Sequence, residues 1–207
     1  MITEKQVLDR IEQGFSGSFA GPEAIGKLHG RLAARAERQG LLDVSYRTVD
    51  SPLGSLLLAA TGEGLVRVAF SREDHGSVLS RLASEISPRI LRTPRRLDEP
   101  ARQLEEYFAG KRRAFTVLVD LRLAHGFRRS VLLRLRDIPF GRTQSYAAVA
   151  KAAGNASAVR AAASACSHNP LPLVFPCHRV VRSDGGLGEY LGGARAKRAL
   201  LSMEGAD

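Results

Sequence analysis

The 207-residue sequence predicts an α+β protein in which a small antiparallel sheet with helices precedes a helical region containing a helix-turn-helix. Three observations support this. From Val44 apolar residues recur at period two between turn-forming glycines and prolines. Beyond Leu121 the strand signals fade and helical spacing takes over. Finally, Tyr146 to Ala153, the pair Gly154-Asn155, and Ala156 to Ser167 read as helix, glycine turn, helix. A chain of this length, 44% hydrophobic and 25% charged, can bury one good core or two small ones.

Taken in order, Val7, Leu8, Ile11 and Phe15, then Ile25, Leu28, Leu32 and Ala36, predict two amphipathic helices around a loop at Gly14 to Pro22, forming an extension over residues 1–43. Val44, Tyr46 and Thr48 then alternate, Pro52 and Gly54 turn the chain, and Leu56 to Ala60 and Leu65 to Phe70 flank Thr61-Gly62-Glu63-Gly64 as a hairpin. Helices follow near Gly76 to Ile86 and Leu97 to Phe108. An apolar run from Phe115 to Asp120 predicts a last strand, completing a domain over 44–120. Leu121 to Gly126 is the expected linker into a second domain, 121–207. There Phe127 to Asp137 is helical and stops before Ile138-Pro139, because proline disfavours helix in the preceding residue. Thr143 or Ser145 is placed to cap the next helix, Gly154 to take left-handed backbone, and Ser157 to cap the third. That third helix is alanine-rich, with Arg160 as its one long cation.

The net charge of +10 is unevenly placed. Residues 1–110 hold fifteen Lys/Arg against fifteen Asp/Glu, whereas residues 111–160 hold eleven against two. Apolar residues, not acids, separate those cations, which predicts a polyanion partner over a merely solvated face. The apolar runs are too short to span a bilayer and the amino terminus lacks a secretory hydrophobic region, so a soluble intracellular protein is expected. Two cysteines, Cys166 and Cys177, exclude a disulfide framework or a four-cysteine zinc site.

The chemistry concentrates at Phe175-Pro176-Cys177-His178-Arg179-Val180, where a thiol adjoins a base. A cysteine with a pKa near 8.5 is only a few per cent ionised at about pH 7, so a neighbouring base must take its proton. Neighbours in extended backbone point to opposite faces, so direct Cys177 to His178 contact needs a turn or a bridging water. Gly185, Gly186, Gly188, Gly192 and Gly193, with Tyr190, let the chain bend around a small flat ligand. The competing reading is a buried cysteine beside a structural histidine. Cys166 reads as a packed small residue.

In order and spacing, Ser145, Tyr146, Gly154, Asn155, Arg160, Asn169, Pro170, the Pro-Cys-His-Arg-Val run and Glu204 resemble the O6-alkylguanine-DNA alkyltransferase family. The resemblance covers Tyr46 to Glu204 and is strongest from Ile138 onward. It implies a ribonuclease H-like first domain, a winged-helix-like second one, and direct-reversal DNA repair by irreversible single-turnover transfer of the alkyl group of O6-alkylguanine to Cys177, with O4-alkylthymine a second candidate substrate. By resemblance His178 activates Cys177 through water, Glu204 orients His178, and Tyr146 donates to the departing base. The alanine-rich helix enters the minor groove and Arg160 fills the gap left by a rotated-out base, with Ser145, Ala161, Lys151 and Arg142 contacting DNA. Val180, Gly188, Glu189, Tyr190, Leu191 and Gly192 line the pocket, with the Cys177 and Val180 carbonyls accepting from the base, and Asn169 is a hinge. No metal or cofactor is implied, the expected partner is alkylated duplex DNA bound by a monomer, and the expected location is cytoplasmic, nucleoid-associated or nuclear. The chain departs from the pattern at Arg128, where relatives have glutamine, in lacking tryptophan, and at Glu189 and Leu191. The reading requires the Cys177 sulfur to be ionised and open towards the cationic helical surface. Its competitors are a non-catalytic alkylated-base sensor, which lacks the acceptor cysteine, a helix-turn-helix regulator reading the major groove, and a Cys-His hydrolase.

Overall fold

The computed structural model describes residues 28, 30–33, 35–36, 39–93 and 95–206. Residues 1–41 and 42–207 form two compact units. In the first, residues 30–33 are helical, and Leu28 and Leu32, which spacing assigns to an apolar face, are exposed. The helix predicted over Val7 to Phe15 and the loop after it lie outside the described residues.

The second unit is built on a four-stranded sheet of β1 (Val44–Val49), β2 (Leu56–Thr61), β3 (Gly64–Phe70) and β4 (Ile90–Arg92), in the order β3-β2-β1-β4. The first three strands are antiparallel neighbours, while β4 lies parallel to β1 with Val44 opposite Ile90. The expected antiparallel strands β1, β2 and β3 are present, and β4 adds a parallel neighbour at the edge that the sequence does not signal. Three residues are too few to show a period, and a parallel neighbour exists only because helix α1 (His75–Glu85) carries the chain across the sheet. Asp74 caps α1 by accepting from the Ser77 amide.

Strand β2 is buried along its whole length, which is why its sequence is continuously apolar instead of alternating. Leu57 and Ala59, with Val66 and Ala69, pack on Val78 and Leu82 of α1. Leu56, Leu58, Leu65, Val68 and Phe70 face the larger core on the other side. Helix α2 (Asp98–Phe108) starts with Asp98 and Glu99, which favour its positive end, and turns Gln103, Leu104 and Tyr107 inward.

The strand predicted at Phe115 to Asp120 is absent. That segment makes a single bridge, Val119 to Leu65. Gln103 accounts for this, since its side chain accepts from the Thr116 amide and donates to the Thr116 hydroxyl, taking the place of a sheet partner. Gly64, at φ 138°, lets the segment approach, for a Cβ there would lie 2.5 Å from the Leu118 carbonyl oxygen.

After the turn at 121–125, helices α3 (Gly126–Leu135), α4 (Tyr146–Ala152) and α5 (Val159–Ser167) pack on one another. Ser145 caps α4 through the Ala148 amide, and Gly154 takes φ 95° after it. Ser157 does not cap α5, contrary to the expectation. Its amide and hydroxyl both donate to Asn155 Oδ1, so the asparagine closes the turn and α5 starts two residues later. A two-stranded parallel ribbon, β5 (Gln144–Ser145) with β6 (Val180–Val181), ties the start of α4 to the segment following Cys177. Helix α6 (Gly193–Glu204) closes the fold. The larger core runs unbroken from Leu58 and Tyr107 to Val131, Phe175 and Leu200.

Candidate active site

Every residue from Asn169 to Val180 is buried. Leu173 sits there in left-handed backbone, φ 75°, which costs about 1 kcal/mol for a side chain with a Cβ. Its burial among core side chains holds it in place. Cys177–Arg179 then form one 3-10 turn, so the backbone is not extended at Cys177 and His178.

The turn is held from both ends. Asn169 Nδ2 donates to the Phe175 carbonyl at 2.8 Å and lies 3.2 Å from Cys177 Sγ, while its Oδ1 accepts from the Leu171 amide. The Asn169 carbonyl in turn accepts from Arg67 of β3, whose other nitrogen pairs with Glu73. At the far end His178 Nε2 lies 2.9 Å from Glu204 Oε1 at the end of α6.

Glu204 is a hub. Oε1 also accepts from Tyr107 Oη at 2.6 Å and from Arg179 Nη2 at 2.9 Å, and Oε2 accepts from Arg179 Nε at 2.8 Å and the Gly141 amide at 3.4 Å. Burial opposes ionisation here, but the His178 and Arg179 hydrogen bonds outweigh it and hold the Glu204 carboxyl at about 2. An ionised Glu204 requires the proton on His178 Nε2, which leaves Nδ1 as the lone pair. Nδ1 is buried with no hydrogen-bond partner in the protein. Burial also lowers the His178 pKa, keeping the ring neutral. A neutral imidazole with one free lone pair beside a thiol can act as a general base.

The thiol itself departs from expectation. Cys177 is 2% exposed, and burial pushes it up to about 11, against the lowering effects of Asn169 and Lys197. The sulfur is thus covered and protonated, not open and ionised, because a buried site penalises the charged form.

Among the pocket residues, Gly188 lies against Tyr146, where a Cβ would come within 2.9 Å of the phenol oxygen. Gly192 lies equally close on Phe70. Tyr190 is buried, edge-on to Phe70 and to His178 at 5.6 and 6.2 Å between ring centres, and its hydroxyl has no partner in the protein. Leu191 is half-buried and Glu189 exposed. Burial raises the Tyr146 phenol to about 12, so it is a donor at neutral pH. The Cys177 carbonyl accepts from the Val180 amide, and the Val180 carbonyl accepts from Lys197 Nζ, so each already has one donor. Cys166 is buried and strongly biased to the neutral thiol.

Of the residues assigned to DNA, Arg160, Ala161, Lys151 and Arg142 are exposed, and Ser145 is half-buried by its capping role. Not all of the basic block is free. Arg112, Arg122 and Arg134 meet Glu106, Asp120 and Asp137, acids that the linear sequence does not place beside them all.

Three functional residues escape sequence reasoning. Arg179 lies inside the Pro-Cys-His-Arg-Val run. Tyr107 is one apolar residue of an amphipathic helix until the fold brings Glu204 to it. Lys197 is wholly buried, with Nζ donating to the Val180 and Leu187 carbonyls and 5.9 Å from the centre of the Tyr146 ring. The signal for Lys197 is its spacing: with Ala196, Leu200, Leu201 and Glu204 it occupies the inward stripe of α6. Among the described residues no cluster of three or more His, Cys, Asp or Glu could hold a metal, and no helix is long and apolar enough to cross a membrane.

Comparison with known proteins gives concordant matches. The family model for the 6-O-methylguanine DNA methyltransferase ribonuclease-like domain matches residues 44–121, and that for the DNA binding domain matches residues 126–206. The methylated-DNA--protein-cysteine methyltransferase of Methanosarcina acetivorans is 36% identical over 164 residues, covering 78% of this chain and 98% of its own. That of Mycobacterium tuberculosis is 39% identical over 161 residues, covering 78% and 92%. The crystal structure of Mycobacterium tuberculosis OGT in complex with DNA superposes with a TM-score of 0.66 at 36% identity, covering 77% of this chain and 92% of that one.

Proposed function

Because the chain belongs to the 6-O-methylguanine DNA methyltransferase family, we propose that it repairs DNA by moving the alkyl group of O6-alkylguanine onto Cys177. The observation that carries this assignment of roles is the ordered set Asn169, Cys177, His178 and Glu204, in which the only unengaged polar atom of the relay is His178 Nδ1.

In this reading Sγ attacks the alkyl carbon in line with O6. The sulfur–carbon bond forms as the carbon–oxygen bond breaks, and the thiol proton passes through water to Nδ1. Guanine leaves as an anion steadied by the Tyr146 phenol and recovers a proton, so the net products are neutral guanine and a thioether. Glu204 stabilises the transient imidazolium. In place of the expected open, ionised sulfur, the reading takes a covered thiol that gives up its proton only to His178, and its high pKa suits a resting state that ignores other electrophiles. Residues 121–207 carry both DNA binding and the acceptor, with Arg160 standing in for the extruded base, while 44–120 brace them. The protein acts as a monomer, and residues 1–43 are an extension. A base sensor would have no use for an acceptor cysteine followed directly by a neutral imidazole with an unengaged Nδ1.

Incubation with duplex DNA containing O6-methylguanine is expected to add the mass of one methyl group to the peptide bearing Cys177, and to no other. A peptide left unmodified by prolonged excess substrate would overturn the assignment.

A further inference from the structure

We infer that Tyr107, on α2, is a positioning residue that tunes the basicity of His178 by sharing Glu204 Oε1 with it. This rests on the proposal that His178 takes the Cys177 proton. Three donors converge on Oε1: His178 Nε2, Arg179 Nη2 and the Tyr107 phenol, the last at 2.6 Å. Each draws electron density from the oxygen that would otherwise stabilise a positive imidazole. Tyr107 is fixed in this role by aromatic neighbours on three sides, Phe108, Phe115 and Phe140, and is 1% exposed. Its pKa is raised strongly by burial and by the adjacent carboxylate, so it stays a donor throughout the working range.

The sign follows from the groups around His178. Glu204 favours its charged form, Arg179 and Lys197 oppose it, the neutral Tyr190 ring and the Cys177 thiol complete its surroundings, and Tyr107 acts through Glu204. Removing the Tyr107 hydroxyl returns charge to Oε1, strengthens its hold on the Nε2 proton and makes Nδ1 more basic. More of the protein then carries a protonated His178 at low pH, where it cannot accept from the thiol. The wild-type phenol keeps the imidazole neutral and available.

The test compares Tyr107→Phe with Leu104→Ala, which loosens the same buried face of α2 without touching Glu204. Single-turnover methyl transfer in Tyr107→Phe is expected to fall about threefold near pH 6 and to change less than about 1.5-fold near pH 8.5. NMR titration of His178 in the unreacted protein should show its pKa raised in Tyr107→Phe and lowered when 3-fluorotyrosine, a stronger donor, occupies position 107. Leu104→Ala should move neither. An equal rate loss at every pH, an unmoved His178 titration, or the same shift in Leu104→Ala would overturn the inference. The titration needs no alkyl transfer, so it stands apart from failure of the proposed reaction. If Tyr107→Phe does not fold, the 3-fluorotyrosine protein decides alone, an unshifted His178 counting against.

Discussion

Arg160 on α5 and Arg179 beside Cys177 are the same side chain used in opposite ways. The first is exposed and, among the described residues, has no acidic partner, whereas the second is 6% exposed and donates to Glu204 and to the Ile138 carbonyl. A free guanidinium in water is inexpensive to hold and can be spent on a ligand, while a buried one is stable only inside a satisfied network. The α5 surface thus leaves Arg160 without an acidic partner among the described residues, while the buried network around Glu204 engages every polar side-chain atom of His178 and Arg179 that meets it and leaves His178 Nδ1 unengaged. The first tolerates substitution with graded losses, and the second should fail abruptly.

Substitutions that separate the two regions follow from that contrast. Cys177→Ser has the largest expected effect, with transfer eliminated and binding of lesion-containing duplex retained in a gel-shift titration. Transfer surviving the change would relocate the acceptor. Glu204→Gln removes the counterion of a buried arginine and should cost about 3–5 kcal/mol in urea unfolding, besides slowing transfer. A loss under about 1 kcal/mol, typical of surface pairs, would mean that the hub is not load-carrying in solution. Acid should act on the same network. Both Glu204 and His178 have folded pKa values below their ordinary ones, so stability is full above about pH 6.5. It should decline first as unfolded histidine gains protons, then further as pH falls from the ordinary carboxyl range towards about 2. Unfolding midpoints that rise on acidification would contradict this.

On the exposed side, Arg160→Ala is expected to weaken lesion-duplex binding about tenfold, roughly 1.4 kcal/mol, and to slow repair in duplex while sparing reaction with free O6-benzylguanine. Equal losses on both substrates would remove Arg160 from a base-extruding role. The smallest effect belongs to Lys151→Ala, which should weaken binding evenly across sequences and lower the slope of log affinity against log salt by about 1. An unchanged slope would place Lys151 away from the phosphates.

Much of this was legible in the order of residues. The alternation after Val44, the continuous apolar run of β2, the Ser145 cap and the glycine turn at Gly154 are local, and local preferences decided them. The Pro-Cys-His-Arg-Val run is local too, and it located the buried turn that holds the proposed nucleophile. What failed was non-local. Strand β4 depends on a partner more than forty residues earlier, and the Phe115 to Asp120 segment is diverted by one glutamine on α2. Nothing in a window around Tyr107 distinguishes it from a core aromatic, and the helical spacing that puts Lys197 on the inward stripe of α6 does not reveal that its Nζ meets the Val180 and Leu187 carbonyls.

By itself the sequence determined which groups could react, namely a thiol and an imidazole side by side at Cys177 and His178 and a carboxylate at Glu204, together with the cationic surface that accompanies them. Tertiary structure alone decided their states. Protonation and exposure depend on desolvation and on donors contributed from distant segments, so it took the packing of α2, α6 and the Asn169 turn around Cys177 to make the thiol covered and neutral, Glu204 ionised and His178 Nδ1 free.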